Sequence, residues 1–446
     1  MKKGILAAIA LFCAIALIIA SASGFRGRSG KAAESVSSGD GRIPVRLNDT
    51  LTNGMSDIPE LREMDRSIEK FLKRWEIRGA SLAIMRNDSL VYAKGYGWAD
   101  AEDSVRMSPG NILRMASVSK LITATGIMKL KEEGLLSLQD TVFGPRGILN
   151  DSTFSKAIRD KRIFRITVEQ LLRHKGGFTT GHGDPMFSSQ DMIRQFHLDS
   201  APDSRTLVRC ELTRWLGFTP GTSQQYSNFG FLLLSLIIEK TSGQTYEDYI
   251  RENILHPAGC YDMHIARNYY EEKYPNEVRY YMQAGSEPTE EYNLSGRMVE
   301  KCYGGSDITG LSGAGAWVGS PAELCRFVAS IDGKPEIPDI ISAESVAEMT
   351  EYFDPQTFSL GWNDTRPDGE WTRTGTLSGT SALVKCYPDG ECWIMITNTG
   401  TYRGPYFSKY VSTLFRKCRE TYSSCLPDYN LFGSYVRTSN SPESMP

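Results

Sequence analysis

Histidine is scarce in this chain, with five in 446 residues and none spaced as a set of metal ligands. There is no H-E-x-x-H and no G-x-S-x-G, which excludes the helix-borne zinc peptidase and the nucleophile elbow; no metal or nucleotide cofactor is implied. Neither sign of charge is in excess. Lys+Arg 50 against Asp+Glu 53 gives a formal net charge of −3, which argues against a nucleic-acid partner and leaves small, uncharged or weakly anionic substrates open. Bias toward disorder or fibre is also missing: 40% hydrophobic and 23% charged residues is an ordinary globular composition. The apolar run at residues 5–20 stops short of the roughly 20 residues that span a bilayer.

That run follows Lys2 and Lys3 and ends in Ala20-Ser21-Ala22, an A-x-A cleavage pattern. Residues 1–22 therefore read as a secretory signal peptide, with an uncleaved anchor as the alternative and the only expected membrane attachment. Residues 23–55, rich in Gly, Ser and Arg, read as a linker; residues 56–435 as one catalytic domain; and residues 436–446 as a flexible tail. The expected location is the periplasm or cell envelope. Oligomeric state is not legible.

Signal cleavage removes Cys13 and leaves eight cysteines in an oxidising compartment. One pairing has a geometric argument. "ALVKCYPDGECWIMIT" reads as two strands joined by Pro388-Asp389-Gly390, a register that sets Cys386 opposite Cys392, Val384 opposite Ile394 and Ala382 opposite Ile396. Opposed residues lie within disulfide reach, so Cys386 and Cys392 are a candidate disulfide or, equally, two small buried thiols.

Ile58, Leu61, Met64, Ile68, Leu72 and Trp75 recur at three- and four-residue steps and predict an amphipathic helix over residues 57–75. "GASLAIMR" and "LVYAKGYG" around Asn87-Asp88-Ser89 predict a hairpin. Residues 130–300 read as mostly helix and loop, with "FLLLSLIIEK" the most apolar helix. After them "FSLGWN", "EWTRTG", "TSALVKC" and "ECWIMITN" read as short strands, and a helix over residues 406–418 closes the chain. The expected class is α+β: one antiparallel sheet shared by early and late strands, flanked by helices, with a mostly helical inserted region.

Three stretches carry chemistry. In "RMASVSKLITATGIMKL", Ser117 and Lys120 lie three apart and share a helix face, and the apolar continuation supplies the burial that an amine needs to act as a base near neutral pH. Spacing alone is weak, because Ser67 and Lys70 match it on a charged amphipathic helix. In "FTPGTSQQYSNFGFLLLSLIIEK", Tyr226 offers a second proton carrier and the Asn228 amide a contact for a substrate carbonyl and the lysine. A second Y-x-N, Tyr274 to Asn276, lies in a charged loop. In "WTRTGTLSGTSALV", Arg373, Thr374 and Gly375 present a cation, a hydroxyl and a glycine toward a cleft, a pattern suited to a substrate carboxylate. The backbone N–H groups of Ser117 and Thr376 are the expected oxyanion hole.

Taken in this order, the S-x-x-K, Y-x-N and cation-T-G elements make the chain resemble the serine β-lactamase and penicillin-binding protein superfamily, particularly class C β-lactamases, D-alanyl-D-alanine carboxypeptidases and related esterases. The resemblance runs over roughly residues 60–420. It implies Ser117 as the acylated nucleophile, Lys120 as its base partner, Tyr226 as proton relay and Asn228 as a substrate and lysine contact. Arg373 stands where that family usually has Lys or His, and "HKGG" replaces its usual His-Thr-Ser-Gly, with His174 read as structural. The implied activity is an exported serine hydrolase acting on a β-lactam, a peptidoglycan-derived D-Ala peptide, or a small ester or amide. The alternative is a non-hydrolysing cell-envelope binding protein with a degenerate site.

Overall fold

The computed structural model describes residues 46–181, 183–354 and 357–435. The expected signal peptide or anchor at 1–22 and the expected tail at 436–446 lie outside the described residues, as does most of the expected linker.

The body is organised around a seven-stranded antiparallel sheet. Its strands are β1 (Gly79–Arg86), β2 (Ser89–Asp100), β3 (Val105–Arg106), β4 (Asp364–Thr365), β5 (Trp371–Leu377), β6 (Thr380–Cys386) and β7 (Glu391–Thr397), in the order β3-β2-β1-β7-β6-β5-β4. Early and late strands meet where β1 pairs with β7, from Ala80 opposite Thr397 to Arg86 opposite Glu391. Two tight turns set the registers on either side. Asn87 and Asp88 both adopt positive φ, a two-residue hairpin loop of the primed kind whose twist matches the strands, and Gly390 at φ +86° closes the other. The second turn produces the expected pairs: Ala382 with Ile396, Val384 with Ile394 and Cys386 with Cys392. Both residues are buried and their Sγ atoms face each other at 2.6 Å, so the register brings the candidate pair together.

Strand alternation divides β7 between two cores. Trp393 and Met395 join Leu82 and Ile84 under helices α1 (Arg62–Arg74) and α5 (Phe407–Tyr422), which contribute Met64, Ile68, Leu72, Val411 and Phe415. Ile394 and Ile396, with Ala83 and Val384, face the larger core, built on α2 (Ser119–Glu132), α3 (Asn228–Ser242) and α4 (Pro321–Ala329).

Three expectations need correction. The folded body begins before residue 56: Leu47 and Leu51 are buried, and the Asn48 amide donates to Asp262 and Glu323 at 3.0 and 3.1 Å, so residues 46–55 are packed rather than linker. The first amphipathic helix starts at Arg62, because Pro59 at the head of a 3₁₀ turn breaks the run from 57. "FSLGWN" is a loop. Gly361 takes φ +87° and a Cβ there would lie 2.8 Å from the Ala124 Cβ, so this segment folds over α2 instead of pairing, and only Asp364 and Thr365 join the sheet.

Candidate active site

Ser117 sits on a 3₁₀ turn, Ala116–Val118, immediately before α2. Ala116 adopts φ +49°, an uncommon conformation for a residue with a Cβ, and β5 holds the turn from the other side. A Cβ on Gly375 would come within 2.3 Å of the Met115 carbonyl oxygen and 3.0 Å of Ser117 N, so the glycine of the R-T-G stretch is needed for the strand to pass this closely. The other hydroxyls of the opening motif are structural. Ser119 Oγ accepts from Trp317 N at 3.1 Å, and Thr123 Oγ1 donates to the Gly313 carbonyl at 2.8 Å.

Lys120 is fully buried in the first turn of α2. Its Nζ lies 3.2 Å from Ser117 Oγ, donates to Asn228 Oδ1 at 2.7 Å and also donates to the Ala314 carbonyl. A neutral amine has two N–H bonds and one lone pair. With both N–H groups taken by Asn228 and Ala314, the lone pair is left for the Ser117 hydroxyl. Burial lowers the Lys120 pKa to about 8, helped by the Arg373 charge and opposed by Tyr226 and Asp184. At pH 7 roughly one amine in ten is then neutral, against roughly one in three thousand for a free lysine.

Tyr226 donates its hydroxyl to Ser117 Oγ at 2.8 Å, from a turn that ends at Ser227, the N-cap of α3. Burial alone would raise its pKa; the nearby charges of Lys120 and Arg373 outweigh this and lower it. His174 fixes this tyrosine. Its Nδ1 accepts from Ser227 N at 3.1 Å, which assigns the proton to Nε2, and its ring lies 4.5 Å from the Tyr226 ring. Burial, with Lys120 and Arg373 nearby, holds the imidazole neutral, so it is a packing group as expected from sequence.

Arg373 departs from expectation. It does not reach a substrate carboxylate: the side chain is fully buried, with Nε and Nη2 donating to the Ser117 carbonyl at 2.8 and 2.6 Å and Nη2 lying 3.4 Å from the Tyr226 hydroxyl. On β5 it shares a face with Gly375 and points under the nucleophile turn, while Thr374 and Thr376 face the cleft. Thr374 N donates to Asn363 Oδ1 at 2.7 Å across the open edge of β5. The period of two puts the Thr376 N–H on that same edge, facing the cleft that Ser117 lines.

Asn228 meets the lysine as expected, but its amide nitrogen donates to Asp184 Oδ2 at 2.6 Å. Asp184 was not singled out from the sequence. It caps a short 3₁₀ turn by accepting from Met186 N, and its contact with Asn228 orients the amide so that the oxygen faces Lys120. The G-D-P sequence is a turn signal that could have located the cap, but nothing local links it to a residue 44 positions away. The two decoys behave as surface and scaffold groups: Ser67 Oγ donates to the Glu63 carbonyl on exposed α1, and the Tyr274 hydroxyl donates to the Ile265 carbonyl.

Among known proteins, the chain is 26% identical over 342 residues to the putative penicillin-binding protein PbpX of Bacillus subtilis, covering 76% of this chain and 75% of that one. It is 29% identical over 238 residues to protein flp of Staphylococcus aureus, covering 52% of this chain and 44% of flp, so it spans under half of that relative. The fold is shared with the D-amino acid amidase of Ochrobactrum anthropi solved with L-phenylalanine amide (TM-score 0.62, 20% identity, 81% of this chain and 99% of that one). It is also shared with the octameric penicillin-binding protein homologue of Pyrococcus abyssi (TM-score 0.57, 23% identity, 80% and 77%). Because the profile of the family described as Beta-lactamase matches residues 64–409, the stretch that contains Ser117, Lys120, Tyr226 and Arg373, this chain belongs to the Beta-lactamase family.

Proposed function

We propose that the protein is an exported serine hydrolase that forms an acyl-enzyme on Ser117 and releases the acyl group to water. One observation carries the reading: stretches more than 100 residues apart meet at a single oxygen, with Ser117 Oγ 3.2 Å from Lys120 Nζ and 2.8 Å from the Tyr226 hydroxyl.

As Ser117 Oγ attacks a carbonyl carbon, its proton passes to neutral Lys120 and the developing oxyanion takes the N–H groups of Ser117 and Thr376. The proton goes on through Tyr226 to the leaving group, and the bond to that group breaks. A water then attacks the acyl carbon, and its proton returns to Ser117 Oγ by the same pair. Arg373 keeps the phenol acidic and grips the nucleophile turn; an arginine, always charged, carries no proton itself. The names of the relatives support penicillin-like and amide substrates. Lys2, Lys3, the apolar run and the A-x-A sequence support export, which cell fractionation tests.

The decisive experiment treats the full chain and Ser117→Ala with a fluorophosphonate probe and a fluorescent penicillin. Hydrolysis of a β-lactam, a D-Ala-D-Ala peptide and a short-chain p-nitrophenyl ester is then followed. Whichever activities and labels the native chain shows, the variant is expected to lose; retention of any one removes Ser117 from the mechanism. Penicillin label that persists without turnover marks the binding-protein alternative.

A further inference from the structure

We infer that the cleft selects uncharged esters or amides and discriminates against substrates that carry a carboxylate beside the scissile bond. The inference rests on the acyl-transfer reading above and narrows its substrate class. The cleft over Ser117 has a volume of about 340 Å³, and no Arg, Lys or His stands among the described residues that line it. The two cations beneath it are closed off. Lys120 and Arg373 are each 0% exposed, with donors engaged by Ser117, Asn228, Ala314 and Tyr226; the one Arg373 nitrogen without a partner, Nη1, is itself shut from solvent.

The hydroxyl on the strand is also engaged: Thr374 Oγ1 donates to Asn363 Oδ1 at 3.1 Å, the same oxygen that accepts from Thr374 N. Behind Asn228 stands the Asp184 carboxylate, whose charge opposes a second anion nearby. A carboxylate entering this cleft would give up hydration without gaining a cation, the unfavourable half of ion burial. The remaining walls suit an apolar group. Phe187, 42% exposed, faces the cleft together with Leu311, Leu377 and Pro405.

The test uses one ester skeleton with two ends, N-benzoylglycyl-D-lactate and the same ester with the lactate carboxylate capped as an amide, given to the full-length protein. Fluorophosphonate labelling of Ser117 is read first; its failure removes the acyl-transfer reading, and this inference with it. With labelling in place, kcat/KM for the capped ester is expected to exceed that for the free acid by at least about tenfold. Equal rates, a preference for the free acid, or turnover of neither ester would overturn the inference. In Leu377→Arg, which sets a cation at the cleft wall, the preference is expected to narrow by at least about threefold. An unchanged ratio in a variant that still labels would count equally against it.

Discussion

Two S-x-x-K sequences occupy helices of this protein, and they share little beyond spacing. On α1, Ser67 turns its hydroxyl back to the Glu63 carbonyl one turn earlier, and Lys70 stands in solvent. At the head of α2, Ser117 is lifted onto a 3₁₀ turn and Lys120 is enclosed by Asn228, Ala314 and Tyr226. Spacing of three brings two side chains to one face in both places. What separates them is dielectric: the α1 pair lies on a wet stripe, while the α2 pair is covered by chain segments that arrive 108 and 194 residues later. A lysine becomes a base through what is packed over it, and helical periodicity holds no information about that.

The contrast can be broken most severely at the serines. Ser117→Ala is expected to lower kcat/KM by at least about 1,000-fold, whereas Ser67→Ala should leave kcat/KM within about twofold and stability within about 0.5 kcal/mol by urea unfolding. Comparable losses in the two variants would erase the distinction.

The lysines sharpen it. Lys120→Ala should slow acylation by about 100- to 1,000-fold, and Lys70→Ala should not. In the native protein the rate of acylation should rise with pH through about 8, since the reactive form is the neutral amine and burial lowers the Lys120 pKa to that value. A pH-independent rate between 6 and 9 would contradict a lysine base.

Smaller effects test the groups that α1 lacks. Arg373→Lys keeps a charge but loses the two-nitrogen grip on the Ser117 carbonyl, so kcat should fall by about tenfold, with about 1–3 kcal/mol lost in denaturant unfolding. Full activity would mean that the grip is dispensable. Asp184→Asn should cost less than about tenfold in kcat, because an amide oxygen can still accept from Asn228. Its pH profile should move: of the charged groups around Lys120, Asp184 favours the ammonium and Arg373 disfavours it, so losing the aspartate charge lowers the lysine pKa and shifts the acid limb to lower pH. An acid limb that stays in place would show that Asp184 acts on Asn228 alone.

Much of the sheet was legible because its signals are local. Period-two apolar alternation and the Asn87-Asp88 and Pro388-Asp389-Gly390 turns each lie within about ten residues, and a turn of fixed length admits one register. "FSLGWN" misled for the same reason: its composition suits a strand, but Gly361 bends it over α2, a contact that no window of neighbouring residues contains. In the site, the meeting of Ser117, Lys120, Tyr226 and Asn228 was expected from residue type and spacing together with the family resemblance. Arg373 was found with the wrong partner, because alternation along β5 told which residues share its face but not what lies against that face. Asp184 was missed because its partner is distant in sequence.

The sequence by itself determined the long strands with their two tight turns, the most strongly periodic helices, and the residue types able to support nucleophilic chemistry, since these follow from backbone sterics, side-chain period and functional groups. Tertiary structure alone decided what encloses the buried lysine, where the arginine spends its hydrogen bonds and which aspartate holds the amide. Burial and charge–charge contact depend on distances through space, and folding sets those distances between residues that the chain itself keeps far apart.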